Sequence, residues 1–311
     1  MRYAIGVDLG GTNIAVGLVD ENWNIVDKAN LPTRAPRPAE EIVRDMASLS
    51  ATLAERNRVL PVGIGIGAPG IISDGYIRFA GNLKFENVPV VEMMEKVTGL
   101  KCALGNDANA AALGENVAGA GNGADSFVMI TLGTGVGGGI IEKGKILDGF
   151  NGAGAEIGHF LLYPGKRPCG CGKKGCFEAY CSASGLIEDT KEALRRNPAS
   201  ALARLCGGDE AKINGKTAFD AMREGDAVGQ AVVDTYIENL GLGLSNIVTL
   251  LQPEILAIGG GISREGETLL APLRKIVYAN SYYDEVTPRT RLVAATLRGD
   301  AGIVGAAALV M

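Results

Sequence analysis

Residues 3–26 read YAIGVDLGGTNIAVGLVDENWNIV, and residues 127–147 read FVMITLGTGVGGGIIEKGKIL. Each opens with an apolar run and breaks at a glycine turn that contains a threonine. Each then resumes as a second apolar run and passes through a polar turn into a third. Short apolar runs separated by such turns are the pattern of consecutive β-strands. The pattern occurs twice in a chain of 311 residues, which predicts an internal duplication: two related α/β domains, each opening with a β-meander.

The intervening sequence supports an α/β class. AEEIVRDMASLSATLAERN (39–57) carries apolar residues at helical spacing, and PVGIGIGAPG (61–70) reads as a buried strand leading to a turn. VVEMMEKVTGL (90–100) predicts a helix that stops at Gly99, KCALGND (101–107) a short strand, and ANAAALGENVAGAG (108–121) a helix. Further helices are expected near 182–196, 217–223, 226–251 and 264–280, a strand at 254–261, and a small-residue helix at 301–310.

Hydrophobic residues make up 47% and charged residues 21%, the balance of a folded soluble protein, and the length suffices for two domains. A net charge of −5 argues against a nucleic-acid partner, which needs a basic footprint. No apolar run reaches the length of a membrane span. The N-terminus enters a strand at once without a signal peptide, so a cytoplasmic protein with reduced thiols is expected.

DLGGTN (8–13) ends a strand in a turn whose backbone N–H groups can line a concave nest for phosphate, with the Thr12 hydroxyl as a further donor. LGTGVGGG (132–139) repeats the device. Two such turns, one per domain, describe a nucleotide held in an interdomain cleft. Two rival readings stand beside this one. The turns could be ordinary hairpin connections. Gly133, Gly135 and Gly138, and likewise Gly65, Gly67 and Gly70, also match G-x-G-x-x-G, but a dinucleotide fold needs a helix directly afterwards, and strand-like sequence follows both.

CGCGKKGC (169–176) holds three of the six cysteines and lies ten residues after His159, the only histidine. His159, Cys169, Cys171 and Cys176 form a Cys₃His set suited to a closed tetrahedral zinc site. The glycines at 170, 172 and 175 would let the chain wrap an ion, and Lys173 and Lys174 would offset thiolate charge. The alternative is a group of buried free thiols beside a core histidine. A redox pair would normally be spaced C-x-x-C, which is not the spacing here. A clip at this point would pin Glu156 and His159 on one side and Glu178 on the other, a set of groups that can hold sugar hydroxyls.

In order, DLGGTN, LGTGVGGG, GAGAEIGH and CGCGKKGCFE resemble the ROK family of bacterial sugar kinases and repressors, over essentially the whole chain. The resemblance implies the duplicated actin-like, ribonuclease-H-like ATPase fold, with two domains and an interdomain cleft. The expected division is a small N-terminal domain, 1–118 with the C-terminal helix 300–311, and a large domain, 119–299, with the zinc loop. GNLKFENVP (81–89) and GNDANAAALGE (105–115) are similar to the sugar-contacting and catalytic segments of the family's glucokinases.

Carried over position by position, the resemblance makes Asp107 the general base for the sugar 6-hydroxyl. It gives Asn82, Asn106, Glu156, His159 and Glu178 the sugar hydroxyls, and Asp8 a place at Mg²⁺ through water. Gly10, Gly11, Thr12, Thr134 and Gly135 would meet the ATP phosphates, and Gly260 and Gly261 would pack on adenosine. Plainer roles exist for several of these. Asp107 could be a helix N-cap, Glu178 a first-turn charge, and Asn82 a turn residue.

The activity implied is ATP-dependent phosphorylation of glucose at O6, with structural Zn²⁺ and with Mg²⁺ accompanying ATP. Mannose, fructose, N-acetylglucosamine and N-acetylmannosamine are alternative acceptors. A sugar-responsive repressor is a second alternative, weakened because only Met1 and Arg2 precede the first strand and leave no room for a DNA-binding module. A homodimer without membrane or nucleic-acid partners is expected from the resemblance.

Overall fold

The computed structural model describes residues 1–282 and 289–311. Its elements run β1 (Tyr3–Leu9), β2 (Asn13–Asp20), β3 (Ile25–Pro32), α1 (Ala39–Asn57), β4 (Ile64–Ala68), β5 (Ile71–Ser73), β6 (Tyr76–Ala80) and β7 (Phe85–Val88). There follow α2 (Val90–Thr98), β8 (Cys102–Asn106), α3 (Asp107–Ala118), β9 (Ser126–Leu132), β10 (Val136–Glu142) and β11 (Lys145–Ile146). The remainder is α4 (Glu178–Cys181), α5 (Ala183–Arg196), α6 (Ala201–Leu205), α7 (Thr217–Arg223), α8 (Ala227–Leu251), β12 (Ile255–Gly260), α9 (Glu267–Asn280), β13 (Arg291–Ala294) and α10 (Ala301–Ala308).

Two five-stranded sheets share one strand order. The first has the order β3-β2-β1-β4-β8 and the second β11-β10-β9-β12-β13. In the first, β1–β2 and β2–β3 are antiparallel, while β1–β4 and β4–β8 are parallel. In the second, β10–β11 is antiparallel and β12–β13 parallel. The duplication expected from residues 3–26 and 127–147 is therefore present strand for strand. The sequences after both G-x-G-x-x-G matches are strands, β10 and β5, which removes the dinucleotide reading.

The chain divides into two compact units: residues 1–129, 138–155 and 295–311, and residues 130–137 and 156–294. In the first unit, α1 buries Ile42, Val43, Met46, Ala47 and Leu53 against the sheet. Its helical register follows from that spacing, with Glu40 and Glu41 favouring the positive N-terminus. α2 ends where Gly99 takes a left-handed conformation, as expected. A further three-stranded sheet, β5-β6-β7, contains the strand-like sequence that follows Gly70 plus a strand, β7, that the sequence did not announce.

α10 lies directly on this unit's backbone. A Cβ at Gly6 would stand 1.9 Å from the Ile303 carbonyl oxygen, one at Gly65 1.7 Å from that of Ala306, and one at Gly305 1.6 Å from that of Ala110. Only residues without side chains allow a helix to pack so closely on β1, β4 and α3.

In the second unit, α8 forms the long central helix, capped by the Asp226 carboxylate, which accepts from Gly229 N. Phe177 is fully buried, stacks on Phe160 with centroids 4.8 Å apart, and faces Gly243 of α8, where a Cβ would come within 2.1 Å of its ring. The helix expected at 264–280 is interrupted: a 3-10 turn (Ile262–Glu265) precedes α9, and Gly266 with φ 58° separates them. No helix of the described residues is long and apolar enough to cross a membrane.

Candidate functional site

In the first unit the glycine turn between β1 and β2 is closed by Gly10 N donating to Asn13 O at 2.9 Å. Thr12 is exposed, and Asn82 packs on the turn: its Nδ2 lies 3.2 Å from where a Cβ at Gly11 would be. Asp8, at the end of β1, has its carboxyl pushed up to about 6 by burial and by the neighbouring charge of Asp107. Burial likewise raises Asp107, partly offset by the Ala108 N–H that its Oδ1 accepts at 2.8 Å. Burial and the Asp107 charge both penalise an ionised Asp8, and a divalent cation beside it would relieve that penalty, so the residues present fit Mg²⁺.

Asp107 is not the N-cap of α3. Asn106 is, with its Oδ1 accepting from Ala108 N at 2.9 Å and Asn109 N at 3.2 Å. Asn106 is the last paired residue of β8, opposite Ala68, and its extended backbone is what a cap requires. Its Nδ2 donates to the Gly70 carbonyl at 3.1 Å. Both acceptor positions of the amide oxygen and one N–H are thereby used, and one N–H is left for a ligand. Asp107, freed from capping, sits in the first turn with its second carboxylate oxygen available.

In the second unit the ligand atoms of His159, Cys169, Cys171 and Cys176 all lie within 4.8 Å of one another. Cys169 Sγ is 3.8 Å from His159 Nδ1, and Cys171 Sγ is 3.6 Å from Cys176 Sγ. With Zn–S bonds of about 2.3 Å and a Zn–N bond of about 2.0 Å, a tetrahedral zinc separates its ligands by roughly 3.5–3.8 Å, so the set fits a closed zinc site. The cysteines are free thiols rather than disulfides. His159 faces the cluster through Nδ1, which leaves Nε2 for a second partner. Gly172 and Gly175 adopt left-handed backbone (φ 84° and 96°) in the wrap. The Lys173 backbone N–H, with help from its charge, lowers the Cys171 thiol, in the sense expected of a lysine beside a thiolate.

Glu178 joins this cluster to the second glycine turn. Its Oε2 accepts from Val136 N at 3.0 Å, and its Oε1 accepts from Cys169 Sγ at 3.3 Å. A Cβ at Gly135 would stand 2.4 Å from Oε2, so any side chain there would displace the Glu178 carboxylate. The turn is held from beneath by Ala183 N, which donates to Gly133 O at 2.8 Å, and by Ser184 Oγ, which donates to Thr134 O at 2.7 Å. Thr134, Gly135, Cys169, Glu178 and Ser184 line one cavity of about 960 Å³. Glu156 is exposed and shares the 3-10 turn with His159, whose N–H its carbonyl accepts at 2.9 Å. Gly260 has φ 84° and backs onto Leu132 at the end of β9, while Gly261 faces open space.

Sequence reasoning missed Ser184 and Arg167. Arg167 pairs with Asp189, donates to Ala179 O at 2.9 Å and lies over the Tyr180 ring, so it anchors the cysteine loop. Neither residue stands in a recognisable pattern; only the fold brings them to the site.

Residues 4–311 match the ROK family. A glucokinase of Thermotoga maritima is 39% identical over 98% of this chain and 96% of its own length. A glucokinase of Streptomyces coelicolor is 39% identical over 99% and 98%. Among solved structures, a ROK family glucokinase from Streptomyces griseus in complex with glucose and AMPPNP has a TM-score of 0.80 at 39% identity, with 99% of both chains covered. A ROK hexokinase from Thermus thermophilus has a TM-score of 0.85 at 30% identity, covering 99% of this chain and 98% of its own.

Proposed function

This chain belongs to the ROK family, and we propose that it is an ATP-dependent glucokinase that moves the γ-phosphoryl group of ATP to O6 of glucose. The observation that carries this reading is the likeness to glucokinases over nearly the full length, including one solved with glucose and an ATP analogue.

Asp107 is the general base in this reading. Its carboxylate takes the O6 proton, O6 attacks the γ-phosphorus, and the bond to the β-phosphate oxygen breaks to release ADP. Phosphoryl transfer demands placement and charge stabilisation more than covalent chemistry. Asn82, Asn106, Glu156, Glu178 and the Nε2 of His159 orient the sugar hydroxyls. Gly10, Gly11, Thr12, Thr134 and Gly135 meet the phosphates, and Gly260 and Gly261 lie along adenosine. Asp8 would hold Mg²⁺ through water, and the ion would supply neutralising charge to the phosphates. The Cys₃His set would hold Zn²⁺, which braces the loop that carries His159 and Glu178. Asp8, Gly10, Gly11, Thr12, Asn82, Asn106 and Asp107 belong to the first compact unit, and Thr134, Gly135, Glu156, the Cys₃His set, Glu178, Gly260 and Gly261 to the second. The protein works as a homodimer in the cytoplasm.

A coupled assay with ATP and Mg²⁺ across glucose, mannose, fructose, N-acetylglucosamine and N-acetylmannosamine tests the reading. Glucose should give the highest kcat/KM. Asp107→Ala should lower kcat by roughly 10²–10⁴-fold while glucose binding stays measurable by calorimetry. Retained turnover would remove Asp107 from the base role.

A further inference from the structure

Thr33, which follows β3 and has no exposed surface, lies under the first glycine turn and takes no part in the roles above. Its Oγ1 donates to the Gly10 carbonyl at 2.6 Å, and its backbone N–H donates to the Thr12 carbonyl at 2.8 Å. Its own carbonyl accepts from Arg37 Nε at 2.7 Å, and Arg37 is held in turn by Asp45 of α1. The turn is therefore fastened through Thr33 and Arg37 to a helix that buries five apolar side chains in the core.

The direction of these bonds matters. In a trans peptide the carbonyl and the following N–H point to opposite sides. Fixing the Gly10 carbonyl on Thr33 therefore aims the Gly11 N–H away from Thr33. Among the described residues, the N–H groups of Gly11 and Thr12 donate to no protein acceptor. Backbone donors left unpaired in this way are completed by a ligand or by water.

We propose that Thr33 is a positioning residue for the phosphoryl donor: its hydroxyl, through the Gly10 carbonyl, sets the direction in which the Gly11 N–H meets a donor phosphate. The proposal rests on the kinase reading above and concerns the ATP side of the reaction alone.

Thr33→Val keeps the side-chain volume and the backbone N–H and removes the hydroxyl; Thr33→Ser keeps the hydroxyl. The expected result is a rise of about fivefold or more in KM for ATP in the valine variant, the effect of one net hydrogen bond, with KM for glucose within twofold of wild type. Serine should restore KM for ATP to within twofold. In the wild-type protein, amide hydrogen exchange over residues 9–13 should slow when a non-hydrolysable ATP analogue is added, a measurement that stands even if the valine variant folds poorly. Overturning results are an unchanged KM for ATP in the valine variant, equal loss of ATP and glucose affinity, no rescue by serine, or no protection of the 9–13 amides. A wild-type protein with no ATP-dependent sugar phosphorylation, yet with those amides protected, would sink the kinase reading and leave Thr33 as a determinant of nucleotide binding.

Discussion

Single residues carry much of what holds the first unit together. Glu115 of α3 is fully buried, and its carboxylate accepts from Ala120 N, Thr296 N, Thr296 Oγ1 and Leu297 N at 2.6–3.3 Å. Removing it takes the shared acceptor from four donors that tie the end of α3 to residues 296 and 297. Glu115→Ala should cost about 3 kcal/mol or more in denaturant unfolding, and Glu115→Gln less, because the amide oxygen still accepts. Asn106 and Asp107 show the limit of reading at this scale. Both are good capping types, and the sequence reading offered Asp107 as the cap, whereas Asn106 holds that place. Pairing of β8 with β4 extends through Asn106, which fixes its backbone as extended and makes it the cap.

Elements were legible where their pattern was long. α1 and α7 have the expected bounds, and α2 ends before the expected glycine, because periodic burial and end signals agree over the whole segment. α6 and β13, of five and four residues, are too short to show a period and exist by packing.

The cap of α8 allows a pH test. The Ala201 N–H, and then that of Gly229, hold the Asp226 carboxyl below its ordinary value. Since the folded value is depressed, the stabilisation is complete above the unfolded value near 3.9 and fades as pH falls through the folded one. Asp226→Ala should therefore cost about 1 kcal/mol at neutral pH, and the gap from wild type should narrow progressively below about pH 4.

α10 gives a sharper case. Gly305→Ala forces a methyl into the space 1.6 Å from the Ala110 carbonyl oxygen and should prevent close docking of the helix, seen as loss of soluble protein or a large fall in Tm. The cysteine loop is a third element with its own test. Elemental analysis should find one zinc per chain, and Cys176→Ser or a strong chelator should remove it and lower Tm, since ion binding is then part of the loop's folding energy.

At the scale of the whole molecule, the net charge of −5 fits small-molecule substrates better than nucleic acid. A ligand that binds only the folded chain stabilises it by RT ln(1 + [L]/Kd), about 2.7 kcal/mol at a hundredfold excess over Kd. Glucose at such a concentration should raise Tm by several degrees. A 6-deoxy analogue should do nearly as well without being phosphorylated, because the reacting hydroxyl is a small part of the bound surface.

The duplicated α/β plan, the two glycine turns and the Cys₃His set were legible in the sequence alone, because each is a local pattern: period, turn chemistry, or soft ligands within one loop. The sequence could not give the partners that come from elsewhere in the chain. Thr33 beneath Gly10, Glu178 between Cys169 and Val136, Asn82 against Gly11 and the α10 glycines against α3 all depend on strand register and helix docking. Those are fixed only when distant segments bury their surfaces together.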